Sequence, residues 1–110
     1  MSVTAISDVS TAEQARLFAL LADPLRLQII RLLAAEDLCT CHLVEATSAK
    51  QTTISHHLRI LRQAGAVTAT EQGRFTWYRL APAWTERVRS HVKPLLPARP
   101  EHVRSTAACE

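Results

Sequence analysis

Apolar residues in the first half of the chain recur every three or four positions, which is the spacing of amphipathic helices. The pattern predicts a first helix over about residues 11–22 and a second helix that ends near Ala35. The second helix should begin at Asp23 and Pro24, because Asp accepts hydrogen bonds from free helix amides and Pro fits the first helical position. A short third helix is expected over roughly residues 39–46.

The most strongly amphipathic stretch runs from Lys50 to Gly65. Glycine is common just after the end of a helix, so Gly65 is expected to end this one. Its apolar residues Ile54, Leu58 and Leu61 fall on one stripe, which must be buried against neighbouring helices. The opposite face carries short polar, amide, imidazole and guanidinium side chains: Thr52, Ser55, His56, Arg59 and Gln63. Such side chains match base edges and phosphate oxygens in a DNA major groove, although an ordinary surface helix also has a polar face.

The start of this fourth helix has two interpretations. Either Ser48 caps it and Gln51 completes a Ser-x-x-Gln capping box, or the helix begins nearer Lys50. In both cases a short helix, a tight turn and an amphipathic helix follow one another, which is the pattern of a helix-turn-helix. We therefore include Lys50 and Gln51 among the expected DNA-binding residues.

Beyond the fourth helix the chain becomes rich in β-forming residues. Residues 67–70 and 74–80 are expected to be strands, and residues 71–73 join them in a hairpin. Arg74 lies at the tip beside Gly73, which can adopt the positive φ that a tight turn needs. The hairpin is expected to act as a wing that places Arg74 on a phosphate or in the minor groove.

A last helix is expected over about residues 83–93. It carries Trp84, Val88 and Val92 on one face, and prolines follow it. An apolar stripe on a short terminal helix is expected to meet another subunit rather than complete a small core.

The 110 residues, 47% of them hydrophobic, suit one domain with a modest core that a partner subunit would help to stabilise. We assign this domain to residues 11–93, and expect a disordered N-terminus over residues 1–10 and an irregular C-terminal tail over residues 94–110. No apolar run reaches the length of a membrane span, and the first residues do not resemble a signal peptide. Three cysteines make a poor disulfide framework, so we expect a cytoplasmic protein with reduced thiols.

Basic residues are concentrated in the middle of the chain, although the net charge of the whole is only +3. Residues 1–49 carry three Arg against six acidic residues, whereas residues 50–79 carry five basic residues against Glu71 alone. A charge cluster is often only a solvated face. One that coincides with the polar face of a helix indicates a polyanion partner.

Four motifs occur in an order that resembles the ArsR/SmtB family of regulators. They are LADPLRL at residues 21–27, DLCTCHL at 37–43, ISHHL at 54–58 and GRFTWYRL at 73–80. The resemblance covers about residues 15–80. It implies a homodimeric winged helix-turn-helix repressor that releases double-stranded operator DNA when it binds a metal or metalloid. The implied fold is mostly α with a small β-hairpin, in the order ααααββα, and no cofactor is expected for DNA binding itself.

Cys39 and Cys41 match the cysteine pair of the family's arsenic-sensing branch, which implies As(III) or Sb(III) as the inducer. On an ideal helix these two sulfurs would point about 200° apart, so they can share one ligand only if the helix start is distorted. Trivalent metalloids favour three thiolates, whereas zinc favours four ligands that usually include His. The alternatives are a sensor of Cd, Pb or Zn, a sensor of thiol oxidation, or two small buried apolar residues.

Members of that branch often carry a further Cys three residues after the second, where this chain has Val44. The third ligand is then Cys109, a water or hydroxide, or a small thiol such as glutathione. Cys109 ends a tail that is long enough to reach the cysteine pair of either subunit.

The other histidines give weaker signals. His91 and His102 resemble part of a zinc site on the last helix of some relatives, but the neighbouring ligands are absent, and both are expected to be solvent-exposed. His57 flanks the apolar stripe and is expected to be partly buried and hydrogen-bonded. Ser55 and His56 cannot act as nucleophile and base, because neighbours on a helix do not converge, so we do not expect an enzyme.

Overall fold

Residues 10–98 are described by the computed structural model of the chain, and all structural statements refer to this part. The elements follow in the order α1 (Thr11–Leu21), α2 (Pro24–Ala35), β1 (Leu38–Cys39), α3 (Thr40–Thr47), α4 (Gln51–Gln63), β2 (Val67–Gln72), β3 (Phe75–Leu80) and α5 (Pro82–Val92). A short 3-10 helix, Lys93–Leu95, follows α5, so the predicted irregular tail begins with an ordered turn. The disorder expected for residues 1–9 and the tail beyond residue 98 lie outside the described residues.

The two N-terminal helices begin where the sequence predicts. Ser10 caps α1, because its side chain accepts a hydrogen bond of 3.0 Å from a backbone N–H of the first turn. Asp23 caps α2: its Oδ1 accepts from the N–H groups of Leu25 and Arg26 at 2.9 and 3.0 Å. The hydrogen bond from Arg26 is the main cause that holds the pKa of Asp23 below its ordinary value.

The small sheet contains a strand that the sequence pattern does not reveal. Its three strands lie in the order β1-β3-β2, and both neighbouring pairs are antiparallel. Leu38 pairs with Tyr78 and Cys39 pairs with Trp77. Two residues are too few to show the alternation of a strand, so the pattern gives no sign of β1. Because Cys39 belongs to β1, α3 begins at Thr40, one residue later than predicted.

The turn between α3 and α4 decides between the two predicted starts of α4. Ser48 adopts a left-handed φ of 61° and its N–H donates to the carbonyl of Val44, so it ends α3. Lys50 is extended, with φ −68° and ψ 149°, and α4 runs from Gln51. The start nearer Lys50 is therefore confirmed, and the capping box of Ser48 and Gln51 is wrong. Gly65 follows α4 with a φ of 78°, as predicted.

The wing is a hairpin of β2 and β3 whose first strand is two residues longer than predicted. Gln72 pairs with Phe75, which leaves Gly73 and Arg74 as a two-residue loop. Gly73 has a φ of 62°. A positive φ at the first loop residue is what a type II′ hairpin turn requires, and glycine adopts it without strain.

The apolar stripe of α4 is buried as predicted. Ile54 and Leu61 are 0% exposed and Leu58 is 2% exposed, and they share one core cluster with Ile29 of α2 and Leu43 of α3. The fold is therefore a mostly helical winged helix-turn-helix, with a three-stranded sheet in place of the predicted hairpin alone. Among the described residues, no helix combines the length and the apolar character needed to cross a membrane.

Two predictions about α5 are wrong. Trp84 is buried in the core of its own chain, so the stripe predicted to face another subunit instead completes the core at this residue. His91 is 7% exposed rather than solvent-exposed. Trp84 lies beside Leu17 and Leu20 of α1 in one cleft, and Gln14 Nε2 of α1 donates a 2.8 Å hydrogen bond to the carbonyl of His91, so both predictions missed contacts with α1. His102 lies outside the described residues.

Candidate metal-binding site and nucleic-acid interface

Cys39 and Cys41 converge at the junction of β1 and α3. Cys39 is the residue before the helix, with φ −90° and ψ 169°, whereas Cys41 lies in the first helical turn. The extended backbone of Cys39 removes the angular separation expected within a regular helix, and the two Sγ atoms lie 2.6 Å apart. Both cysteines are free thiols, with Cys39 buried and Cys41 exposed. The predicted distortion of the helix start is thus provided by β1.

His42 joins this pair, and the sequence analysis did not identify it as a ligand. Its Nδ1 lies 3.3 Å from Cys39 Sγ, and the donor atoms of Cys39, Cys41 and His42 all lie within 4.8 Å of one another. The signal was present as the consecutive letters Cys-x-Cys-His. In a regular helix this run would not indicate a shared site, because neighbouring residues there point in different directions. The strand before α3 brings the three side chains together.

Hydrogen bonds at the start of α3 lower the pKa of the Cys39 thiol. Burial raises the pKa of Cys39, but hydrogen bonds from the Cys41 thiol and from backbone amides at the start of α3 outweigh burial and lower this pKa below the ordinary value of a cysteine. Its hydrogen bond with Cys39 is the main reason that the pKa of Cys41 is raised. The opposite shifts mean that Cys39 loses its proton more readily than Cys41, and a negative charge on Cys39 would be favoured by its position at the N-terminus of α3.

The cysteine cluster contacts both the wing and the cleft in front of α4. The rings of His42 and Trp77 have centroids 5.5 Å apart and planes tilted by 55°, and Trp77 is also the strand partner of Cys39. On the other side, a cleft of about 380 Å³ is lined by Cys41, His42, Val44, Glu45 and Gln51. Since Gln51 is the first residue of α4, the cluster and α4 share this cleft.

The donor set suits a thiophilic ion. Two sulfurs and one imidazole nitrogen are ligands for soft and borderline metals and metalloids, and the start of α3 supplies amides that favour negatively charged sulfur. Val44 lines the cleft without offering a ligand atom. Of the three ligands named from the sequence, the structure brings together Cys39 and Cys41, whereas Cys109 lies outside the described residues.

The polar face of α4 is directed to solvent. All of the side chains predicted to contact DNA from this helix and its cap are exposed: Lys50, Gln51, Thr52, Ser55, His56, Arg59 and Gln63. Within the described part of the chain, the side chains of Thr52, Ser55, Arg59 and Gln63 make no hydrogen bond or ion pair. The side chain of Lys50, the residue before α4, does not cap the helix. The first backbone amides of α4 therefore remain free to donate to an anion.

Two arginines of the wing have different roles. Arg74 is exposed in the two-residue loop at the tip, as predicted. Arg79 is held by Asp37, which accepts from its Nη2 at 2.8 Å and from its Nε at 3.0 Å. This hydrogen bond raises the pKa of Arg79 and fixes β3 against the segment that leads into β1. Arg74 is therefore the wing residue available to a phosphate.

A polar network joins the α1–α2 corner to the side of α4 that faces the rest of the protein. Arg26 Nε donates to the carbonyl of Leu20 at 2.9 Å, and its Nη1 lies 3.2 Å from His57 Nδ1. His57 Nε2 also lies 4.0 Å from Asp23 Oδ1. The prediction that His57 is partly buried and hydrogen-bonded is confirmed. The network links the α1–α2 corner to the middle of α4, and so positions α4 on the rest of the domain.

Comparison with known proteins agrees with this arrangement. The family model described as "Bacterial regulatory protein, arsR family" matches residues 23–69, a segment that includes the cysteine pair and α4. The chain is 38% identical over 80 residues to an uncharacterised helix-turn-helix transcriptional regulator of Methanocaldococcus jannaschii, a match that covers 72% of this chain and 86% of that protein. It is 40% identical over 77 residues to the arsenical resistance operon repressor of Escherichia coli, covering 66% of each. It is also 41% identical over 69 residues to a transcriptional repressor SmtB homolog of Synechocystis, covering 63% of this chain and 52% of that one.

Solved structures give the same result. A crystal structure of a possible transcriptional regulator for arsenical resistance superimposes with a TM-score of 0.67 at 32% identity, covering 72% of this chain and 82% of that one. The solution structure of a homodimeric winged helix-turn-helix DNA-binding domain from Mycobacterium bovis has a TM-score of 0.63 at 32% identity, covering 86% and 88%. With its fold, its motifs and its relatives in agreement, this chain belongs to the arsR family of bacterial DNA-binding transcriptional regulators.

Proposed function

We propose that this protein is a cytoplasmic transcriptional repressor that binds operator DNA as a homodimer and releases it when As(III) or Sb(III) binds Cys39 and Cys41. The observation that carries the proposal is the 2.6 Å separation of the two sulfurs at the start of the helix-turn-helix. The arsenical resistance repressor among the relatives supports the choice of inducer.

The inducer follows from the chemistry of the pair. Trivalent arsenic and antimony are soft and bond to thiolate sulfur. We expect Cys39, whose pKa is lowered, to react first. Each thiol displaces one hydroxide of arsenous acid, As(OH)₃, and that hydroxide leaves as water with the proton of the thiol. The third position is filled by Cys109, by solvent or by a small thiol.

Release of DNA follows from the location of the pair. Cys41 lies in the first turn of α3, which precedes α4 by one short turn, and Cys39 lies in the strand paired with the wing. Drawing both sulfurs onto one ion fixes the β1–α3 junction. A shift there changes the angle of α4 and of the wing at the same time, and these are the two elements proposed to contact DNA.

DNA binding is assigned to the exposed face of α4 and to Arg74. In a dimer, two recognition helices would enter successive major grooves about 34 Å apart, one turn of the duplex. The homodimeric relative from Mycobacterium bovis supports this state. Two exposed leucines just beyond α5, Leu95 and Leu96, add apolar surface that a second subunit would cover.

The test is induction in cysteine variants. Fluorescence anisotropy of the duplex upstream of the protein's own gene should show tight binding by the parent, Cys39→Ser and Cys41→Ser proteins under reducing conditions. Arsenite should weaken only the parent, by a coupling free energy of about 1 to 3 kcal/mol, or roughly 5- to 150-fold. Thr40→Ala is the matched control, because it lies between the cysteines and adds or removes no sulfur. Release of either Ser variant by arsenite would place the sensing site elsewhere.

The same titration can assign the third sulfur. Arsenic-edge absorption without added thiol should count three sulfur neighbours in the parent and two in Cys109→Ser if the tail cysteine is a ligand. Equal counts in the two proteins would make Cys109 a bystander.

A second candidate function is sensing of thiol oxidation, which the contact between the two sulfurs also favours. A peroxide would take two electrons from the pair and leave a disulfide. Arsenite-dependent release under strict reduction, with no release by peroxide, separates the proposed function from this one.

A further inference from the structure

We propose that the groove between α1 and α5 binds a small apolar monocarboxylate, with Arg16 and Arg87 as its anion-binding side chains. This α1–α5 groove has a volume of about 280 Å³, and it is lined from α1 by Leu17 and Leu20 and from α5 by Trp84. Ligand pockets commonly have volumes of about 300 to 1,000 Å³, so the groove suits a ligand at the small end of that range. None of its lining residues belongs to the cysteine cluster, so the proposal does not depend on the inducer bound there.

The α1–α5 groove contains a buried hydrogen-bond donor without an acceptor. Trp84 is 4% exposed, and its indole Nε1 is buried and makes no hydrogen bond within the described residues. Buried N–H groups without a partner are rare in folded proteins, because each has lost the hydrogen bonds that it made to water. An acceptor oxygen that enters the groove would supply the missing partner.

Two guanidinium groups flank the groove, one on each helix. Arg16 of α1 and Arg87 of α5 are exposed and line it, and within residues 10–98 neither side chain forms an ion pair or a hydrogen bond. By contrast, Arg89 of the same α5 helix is held by Glu86 at 3.0 Å. Because a guanidinium presents parallel N–H donors that match a carboxylate, the two arginines and the indole N–H form a set of donors that lacks an anion.

The remaining side chains define which anion fits. Leu17 is buried and Leu20 is half-buried, so the apolar part of the groove suits a hydrocarbon body. Glu13 lines the groove one helical turn before Arg16, and it adds one negative charge to the two positive charges of the arginines. One positive charge remains in excess, which matches a single carboxylate, whereas phosphate or a dicarboxylate would be repelled more strongly by Glu13. An apolar monocarboxylate such as benzoate is therefore the ligand class that we infer.

Benzoate binding to the reduced full-length protein tests the proposal. The chain has two tryptophans, so Trp77→Phe leaves Trp84 as the only indole, at the groove itself. Benzoate should change the emission of this protein saturably, and calorimetry on the parent should give the same Kd. Benzamide has nearly the same shape but no charge, and it should bind at least about tenfold more weakly, because a hydrogen bond to a charged group is worth that factor.

Substitutions of the charged side chains should shift the benzoate affinity in opposite directions. The double variant Arg16→Gln with Arg87→Gln should bind benzoate at least about tenfold more weakly. Glu13→Gln should bind it about two- to fivefold more tightly, because the substitution removes the repelling carboxylate at an exposed position.

The matched control is Arg89→Gln, which removes a positive charge from an exposed position of α5 outside the groove. It should bind benzoate within about twofold of the parent, since exposed charges that do not touch the ligand are screened. Thermal unfolding checks that every variant is folded.

The absence of both a saturable emission change and a binding heat would overturn the proposal, and a groove filled by the partner subunit would give this result. Equal weakening by Arg89→Gln and by the double arginine variant would also overturn it, because benzoate would then respond only to net charge. Neither arsenite nor operator DNA enters the measurement, so its outcome is independent of the proposed function.

Discussion

The cysteine cluster at the start of α3 and the polar face of α4 belong to consecutive helices joined by a short turn, and their polar side chains are arranged in opposite ways. In the cluster the donor atoms converge: Cys39 Sγ lies 2.6 Å from Cys41 Sγ and 3.3 Å from His42 Nδ1. On α4 the side chains diverge into solvent, and within the described residues Arg59 and Gln63 have no partner. The converging donors of the cluster suit a single bound ion, whereas the diverging side chains of α4 suit contact with an extended surface.

The difference comes from the backbone that precedes each set of side chains. A strand residue, Cys39, stands immediately before α3, so consecutive residues turn toward a common point. The face of α4 is regular helix from Gln51 onward, and its side chains spread at fixed intervals. A small ion needs the former geometry, and a DNA groove, read by several side chains in register, needs the latter.

The largest effect should come from the core that joins the two regions. Leu43 is 0% exposed in α3 and packs in one cluster with Ile54 and Leu58 of α4. Leu43→Ala should lower the free energy of unfolding by about 2 to 5 kcal/mol, because it removes buried methyl groups and leaves a cavity between α3 and α4. Urea unfolding measures this loss.

The control for this change is Leu27→Ala, the same substitution at a side chain that is 42% exposed on α2. It should change stability by much less, since surface substitutions usually stay within about 0.5 kcal/mol. Similar losses in the two variants would mean that Leu43 does not lie between the regions as described.

The contrast between the regions also explains what the sequence could predict. The stripe of Ile54, Leu58 and Leu61 has the period of a helix over three turns, so the burial of α4 and the exposure of its polar face could both be predicted. The hairpin could be predicted from its β-formers and its glycine. Each of these signals extends over many residues.

The grouping of the site residues depends on a two-residue strand and its long-range pairing, which no sequence period encodes. The grouping of His42 with the cysteines requires β1, a strand of two residues whose partner lies about forty positions further along the chain. The burial of His91 and Trp84 likewise involves contacts with α1, which lies about seventy positions earlier in the chain. The family resemblance supplied Cys39 and Cys41, but it gave no role to His42.

The next prediction tests whether an exposed side chain of α4 contributes to DNA binding without contributing to the stability of the fold. Arg59→Ala should weaken operator binding by about 1 to 3 kcal/mol if the guanidinium reads a base. The same variant should unfold within about 0.5 kcal/mol of the parent, because the exposed side chain has no partner in the described part of the protein. Anisotropy at fixed salt and urea unfolding give the two numbers.

Arg74→Ala is the matched comparison at the wing. It should weaken binding to operator and to unrelated duplex by the same factor, since a phosphate contact positions the protein without specifying sequence. If Arg59→Ala also weakened both duplexes equally, Arg59 would contact phosphate rather than a base. If it destabilised the fold by more than the surface range, the side chain of Arg59 would not be free of the protein as described.

The smallest expected effect lies in the turn between the two regions, at Ser48. Its φ of 61° is left-handed, which costs a residue with a Cβ about 1 to 2 kcal/mol, while glycine adopts it freely but loses more entropy on folding. Ser48→Gly should therefore raise stability by a net of about 0.5 to 1 kcal/mol, measured by thermal and urea unfolding. It should leave arsenite release and operator affinity unchanged, because the residue belongs neither to the cysteine cluster nor to the polar face of α4.

Ser90→Gly makes the same chemical change inside α5, at an exposed helical position, and should lower stability by about 0.5 kcal/mol. Opposite signs in the two variants would support the left-handed turn. A loss at Ser48 equal to that at Ser90 would mean that the native turn is helical at this residue, and the start of α4 after Lys50 would have to be abandoned with it.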